Sequence, residues 1–150
     1  MPLLEEALNL LEVSELKVTE RRVRMIEIMY KEDRYLSARE IKTELETRYP
    51  GISPDTIYRN LHSFSKLNIL EETEFNGEKF FRANCGTGEH HHHFICTKCG
   101  NSLELPMCPM SFYEGKLGDA EITSHQFELF GVCVPCLEVK QQINANNNNY

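Results

Sequence analysis

Ser53-Pro54-Asp55-Thr56-Ile57-Tyr58-Arg59-Asn60-Leu61-His62-Ser63-Phe64-Ser65-Lys66 reads as one helix. Ser53 is a good N-cap, and Pro54 takes the first helical position, where its missing N–H costs nothing. Ile57, Leu61, Phe64 and Leu67 recur at helical spacing and form the buried side. Asp55, Thr56, Tyr58, Arg59 and His62 point outward and can hydrogen-bond or stack. The next residues decide the fold. Leu70 to Phe75 and Glu78 to Ala83 are strand-like runs flanking Asn76-Gly77, the strongest short hairpin signal.

Upstream, three more helical patterns are legible. Leu3 to Leu16 has an apolar stripe opposed by Glu5, Glu6 and Glu12. Thr19 caps the next, with Val23, Ile26, Met29 and Tyr30 as its stripe. Ser37 caps a third, with Glu40 at the capping-box position and Ile41 and Leu45 inward. Helices followed by a β-hairpin describe a winged helix-turn-helix. The helix from Ser53 to Lys66 would enter the major groove of double-stranded DNA, with the hairpin as wing. The alternative is an ordinary small helical domain with a solvated polar face.

Charge argues against an easy DNA binder. The chain of 150 residues has a formal net charge of -7. Up to Ala83 there are 13 Lys+Arg against 16 Asp+Glu; from Asn84 on there are 3 against 7. Basic residues must therefore be focused on one side, and a dimer would double the phosphate contacts. No apolar run approaches the roughly 20 residues of a membrane helix, and the acidic N-terminus lacks a signal-peptide pattern. The expected location is cytoplasmic, where six cysteines favour metal ligation over structural disulfides. Residues 1–83 are expected to form the winged-helix domain, 84–89 a hinge, 90–143 a metal-binding domain, and 144–150 a disordered Asn-rich tail.

The second half is dominated by His90-His91-His92-His93-Phe94-Ile95-Cys96-Thr97-Lys98-Cys99, with Cys133 and Cys136 further on. Two Cys-x-x-Cys pairs separated by a foldable span read as a closed four-thiolate zinc site: Cys96, Cys99, Cys133 and Cys136. A thioredoxin-like redox pair would need a βαβ context that is absent. A zinc hydrolase would need an open coordination position and a general base. Glu104 is a conceivable base, but there is no His-Glu-x-x-His pattern, so no enzyme is expected. If the histidine run is extended, its period of two puts His91 and His93 on one face and His90 and His92 on the other. One run would then serve two metals. Cys85 can fold back toward one of them, and Cys108 and His125 can reach the other.

Ser53-Pro54-Asp55-Thr56-Ile57-Tyr58-Arg59-Asn60-Leu61, Gly77-Glu78-Lys79, His91 through Gly100, and His125 through Gly131 to Cys133 together resemble the Fur family of bacterial metal-dependent repressors. The resemblance covers nearly the whole chain. It implies an α+β protein: an N-terminal winged-helix domain and a C-terminal α/β dimerisation domain holding the four-cysteine structural zinc. It implies a homodimer on palindromic operator DNA, with metal as corepressor.

The soft Cys85, and the lack of a histidine near Asp33-Arg34, make the zinc-uptake branch the nearest match. Carried over from it, the regulatory zinc site is Glu71, Cys85, His91 and His93. An additional site is His90, His92, Cys108 and His125, with Glu114 as the other candidate for the Cys108 position. One structural and one or two regulatory Zn2+ are thus expected per chain. The expected DNA-binding residues are Arg22, Ser53, Asp55, Thr56, Tyr58, Arg59 and Lys79. The expected function is zinc-responsive repression of zinc-uptake genes. An iron- or peroxide-sensing regulator, or a zinc-binding protein without a role in transcription, are the alternatives.

Overall fold

The computed structural model describes residues 2–84 and 91–139. The chain divides into two units, 1–86 and 87–150. The first contains α1 (Pro2–Val13), α2 (Glu20–Glu32), β1 (Leu36–Ser37), α3 (Ala38–Glu46), α4 (Pro54–Lys66), β2 (Leu70–Phe75) and β3 (Glu78–Ala83).

Each helix begins where its capping residue stands. Thr19 accepts from the Arg22 amide, Ser37 and Glu40 form a reciprocal capping box, and Ser53 accepts from the Thr56 amide. The α1 helix is shorter than its apolar pattern, because the Ser14 hydroxyl donates to the Leu11 carbonyl and accepts from the Leu16 amide, ending the ladder at Val13. Asn76 and Gly77 both have positive φ, 52° and 76°, as a tight I′-type turn between β2 and β3 requires. The short β1, with no signature of its own, pairs with β3 and gives the sheet order β1-β3-β2. Ile26, Met29, Ile41, Leu45, Ile57, Leu61, Phe64 and Phe81 are sealed from solvent, so helices and hairpin share one core. The winged-helix expectation is met.

The second unit contains β4 (His93–Cys96), β5 (Ser102–Glu104), α5 (Met110–Tyr113) and β6 (Glu128–Gly131), then a helical stretch over 134–139. Its sheet runs β5-β4-β6, antiparallel on one side and parallel on the other. The sequence pattern predicts strands over 91–95 and 121–130 and a final helix from 135 to about 143, and the structure differs from each. The β4 ladder starts at His93 rather than His91. The strand expected over 121–130 starts only at Glu128, because its partner β4 is four residues long and the preceding segment turns His125 and the Phe127 carbonyl toward His92. The final helix starts by 134 and is described to 139. The expected tail at 144–150, and Cys85 to His90 within the expected hinge and histidine run, lie outside the described residues.

Replacing Ser53 with Ala removes the cap of α4 without touching the core. Stability is expected to fall by about 1 kcal/mol, read from urea unfolding of the full chain.

Candidate metal centres and nucleic-acid face

The parallel pairing of β4 with β6 sets Cys96 beside Gly131, and the Thr97 amide donates to the Gly131 carbonyl at 2.8 Å. That contact brings the turn carrying Cys99 next to the segment carrying Cys133 and Cys136. Gly100, at φ 79°, closes the turn, and its amide donates to the Cys96 carbonyl at 3.0 Å. The Sγ atoms of Cys96 and Cys136 are 3.9 Å apart, and those of Cys99 and Cys133 are 3.7 Å apart. A disulfide needs about 2.05 Å. Four sulfurs around zinc, each at about 2.3 Å, stand about 3.8 Å from one another. The spacing is that of a tetrahedral thiolate site, and all four sulfurs lie within 4.8 Å of one another.

The four thiols do not ionise alike. Burial opposes the Cys96 thiolate, yet amide N–H groups of Cys133, Cys99 and Lys98 outweigh it and bring its pKa down to about 6. Burial pushes the Cys99 thiol up, and the neighbouring Cys133 pushes Cys136 up to about 12. One charge is welcome in this nest of amides, and the next thiolates need a cation.

A second cluster forms on one face of the histidine run. His92 Nε2 lies 3.2 Å from both Cys108 Sγ and His125 Nε2, and the latter two are 3.4 Å apart. His92 Nδ1 is 2.9 Å from the Phe127 carbonyl, which can only accept. Nδ1 therefore carries the proton and Nε2 presents its lone pair to the cluster, as a metal ligand requires. Glu114 ends α5 and is not part of the cluster. His90, the other expected ligand, lies outside the described residues.

The other face carries His91 and His93, with ring centroids 6.2 Å apart. His91 Nδ1 lies 2.7 Å from Glu104 Oε1, and Glu104 is the cross-strand partner of His93. Sequence reasoning missed Glu104 as a ligand candidate; the signal was its place on the strand paired with the histidine run. Of the remaining expected regulatory ligands, Glu71 stands on β2 in the first unit, and Cys85 lies outside the described residues.

The exposed side of α4 carries the expected nucleic-acid residues, most of them already engaged. Arg59 pairs with Asp55 one turn earlier. Ser53 and Thr56 are bonded to each other at the cap, at 2.9 Å. Tyr58 stacks parallel to His62 at 6.2 Å and meets Phe81 edge-on at 6.1 Å. Lys79 of the wing is 2.7 Å from Glu72, which together with Tyr58 holds the ammonium above its ordinary pKa. Burial opposes the Glu72 charge, but Lys79 and His62 outweigh it and lower its pKa. Arg22 faces Asn60, with Nε donating to Oδ1 at 3.0 Å.

The family model for the ferric uptake regulator family matches residues 13–130. The chain belongs to this family. Its members are metal-responsive transcription regulators that bind DNA and act as dimers, and they are not enzymes. The ferric uptake regulation protein of Staphylococcus epidermidis is 44% identical over 131 residues, covering 87% of this chain and 94% of that protein. The iron-bound ferric uptake regulator of Francisella tularensis is 25% identical with a TM-score of 0.63, covering 82% and 96%. A zinc uptake regulator complexed with zinc and DNA shares the fold at a TM-score of 0.70 and 21% identity, covering 93% and 96%. Relatives of the family thus carry both iron and zinc names.

Because Cys99 and Cys136 are held protonated at pH 7, zinc binding at the four-cysteine site must displace at least two protons, one from each. Calorimetry in buffers of different ionisation enthalpy should read this release. Cys96→Ser should abolish it together with one equivalent of bound zinc.

Proposed function

We propose that the protein is a zinc-responsive transcriptional repressor. It binds palindromic operator DNA as a homodimer when its regulatory zinc is bound, and controls zinc-uptake genes in the cytoplasm. The observation that carries the choice of metal is the cluster of His92, Cys108 and His125, whose donors are two imidazole nitrogens and a thiol sulfur. Thiolate is a soft ligand, and zinc outcompetes ferrous iron and manganese at such a site. Cys96, Cys99, Cys133 and Cys136 hold the structural zinc, which joins β4, β6 and the following helix and supplies folding energy. His90 would complete the additional site.

The regulatory set is Glu71, Cys85, His91 and His93, and the contact of His91 Nδ1 with Glu104 adds a carboxylate candidate. Zinc there would favour the conformation that fits two operator half-sites, and its differential affinity for that conformation sets the switch. Arg59, Tyr58, Thr56 and Asp55 on α4, with Lys79 on the wing, would face the DNA. The second unit leaves Leu103, Met107, Phe112, Leu117 and Val134 exposed, apolar surface suited to a dimer interface. No helix among the described residues is long and apolar enough to cross a membrane.

Iron is the second reading. The relatives at 44% identity bear the ferric uptake name, and Glu104 beside His91 is a hard oxygen donor.

A DNA-binding titration under buffered zinc, ferrous iron and manganese separates the two. Zinc alone should switch on operator binding as metal sites beyond the first fill. Response to iron alone would establish the iron reading, response to manganese alone would move the protein to another branch of the family, and no metal response would leave only the fold. Cys85→Ala should leave the dimer intact in sedimentation yet abolish zinc-dependent DNA binding. If that variant keeps the zinc response, Cys85 is not a sensing ligand.

A further inference from the structure

Eight of the 13 Lys and Arg before Asn84 pair with an acid. Two of these pairs involve the expected nucleic-acid residues: Arg59 with Asp55, and Lys79 with Glu72. The two are built differently. The Arg59 and Asp55 side chains are 78% and 65% exposed and stand one turn apart on a single helix. Water screens such a pair, and it opens at little cost. The Glu72 side chain is only 21% exposed, and it meets Lys79 from the other strand of the hairpin. This carboxylate cannot simply swing away.

Strand register explains where Glu72 points. It is the cross-strand partner of Phe81, and Lys79 lies two residues before Phe81, so the three side chains share one face of the hairpin. Tyr58 of α4 meets Phe81 edge-on, so that face is the one turned toward α4. One Glu72 oxygen is 2.7 Å from the Lys79 ammonium, and the other is 3.4 Å from His62 Nδ1. The His62 contact is electrostatic, since it lacks the alignment of a hydrogen bond. Lys79 also hydrogen-bonds the Tyr58 side chain, and the Tyr58 ring lies parallel to His62 at 6.2 Å. Tyr58, Lys79, Glu72 and His62 thus form a closed ring of contacts that ties the wing to one turn of α4.

We propose that Glu72 is a specificity-determining positioning residue: it withholds Lys79 from the phosphates of unrelated DNA and, through the ring, holds Tyr58 in the orientation that operator bases meet. The inference rests on the DNA-binding reading and adds a residue whose own charge opposes binding. Affinity for unrelated DNA comes almost wholly from cations on phosphates, so a carboxylate fixed beside a cation lowers it. Operator DNA loses the same phosphate contact. It gains from a Tyr58 ring that is already ordered, because a side chain fixed beforehand loses little entropy on binding. Phosphate contacts carry no sequence information, so trading one for a fixed base-reading side chain raises discrimination.

The test uses the zinc-loaded full chain, a palindromic duplex selected from a random library for tight binding to wild type, and an unrelated duplex of the same length. Affinity for both is measured across a range of salt. Glu72→Gln should bind the unrelated duplex several-fold more tightly. Its plot of log K against log salt should steepen by about 0.9, as Lys79 gains a phosphate. Its preference for the palindrome should fall, because the ring that holds Tyr58 is opened. The gain on the unrelated duplex should vanish when Glu72→Gln is combined with Lys79→Gln. His62→Ala loosens Tyr58 without freeing Lys79, so it should weaken the palindrome complex and leave the salt dependence as in wild type. If wild type binds neither duplex, the DNA-binding reading falls and this one with it. If wild type binds, and Glu72→Gln keeps its salt dependence or loses affinity for both duplexes, Glu72 merely supports the fold and this proposal alone is overturned. A gain on the unrelated duplex with the preference for the palindrome intact would overturn the role in specificity.

Discussion

The parallel contact between β4 and β6 is the constraint on which the second unit depends. Four residues of ladder align Cys96 with Gly131, and the loops beyond then bring two cysteine pairs within reach of one ion. Bulk at Gly131 is limited, since a Cβ there would lie 3.0 Å from the Phe94 ring on the neighbouring strand. The unit buries few large apolar side chains, with Ile95 and Cys96 as the main ones among the described residues. A core that small leaves metal ligation to supply the cohesion that apolar burial supplies elsewhere.

The segment 91–93 that leads into β4 also divides the histidines. Successive side chains on an extended segment point to opposite faces, so His92 meets Cys108 and His125 while His91 and His93 turn toward Glu104. The two faces differ in donor chemistry. One offers sulfur and nitrogen, and the other offers nitrogen and a carboxylate oxygen. Soft and hard donors rank metals differently, so one short strand can hold sites with unequal preferences. The Phe127 carbonyl sharpens the soft site by setting the tautomer of His92.

An acidic protein that binds DNA needs its positive charge placed rather than plentiful. In the first unit most cations are neutralised by neighbouring acids, which suppresses general attraction to nucleic acid.

The apolar spacing and caps of the helices were legible in the sequence because both are local: Ser37, Ser53 and Thr19 each act on an amide three residues away. The Asn76-Gly77 turn was legible for the same reason. The four-cysteine set was readable because each pair is a short-range knuckle with one plausible partner. The start of β6, the two-residue β1, and Glu104 as the neighbour of His91 were not legible. Strand ends and cross-strand neighbours depend on a partner distant in sequence. Sequence counting left both Cys108 and Glu114 open as neighbours of His92, and the path from β5 through α5 sets Cys108 beside it. The partners of Arg22 and Thr56 follow the same rule. The Ser53 cap acts three residues away and was readable, whereas the bond from Arg22 to Asn60 spans 38 residues and only tertiary packing shows it.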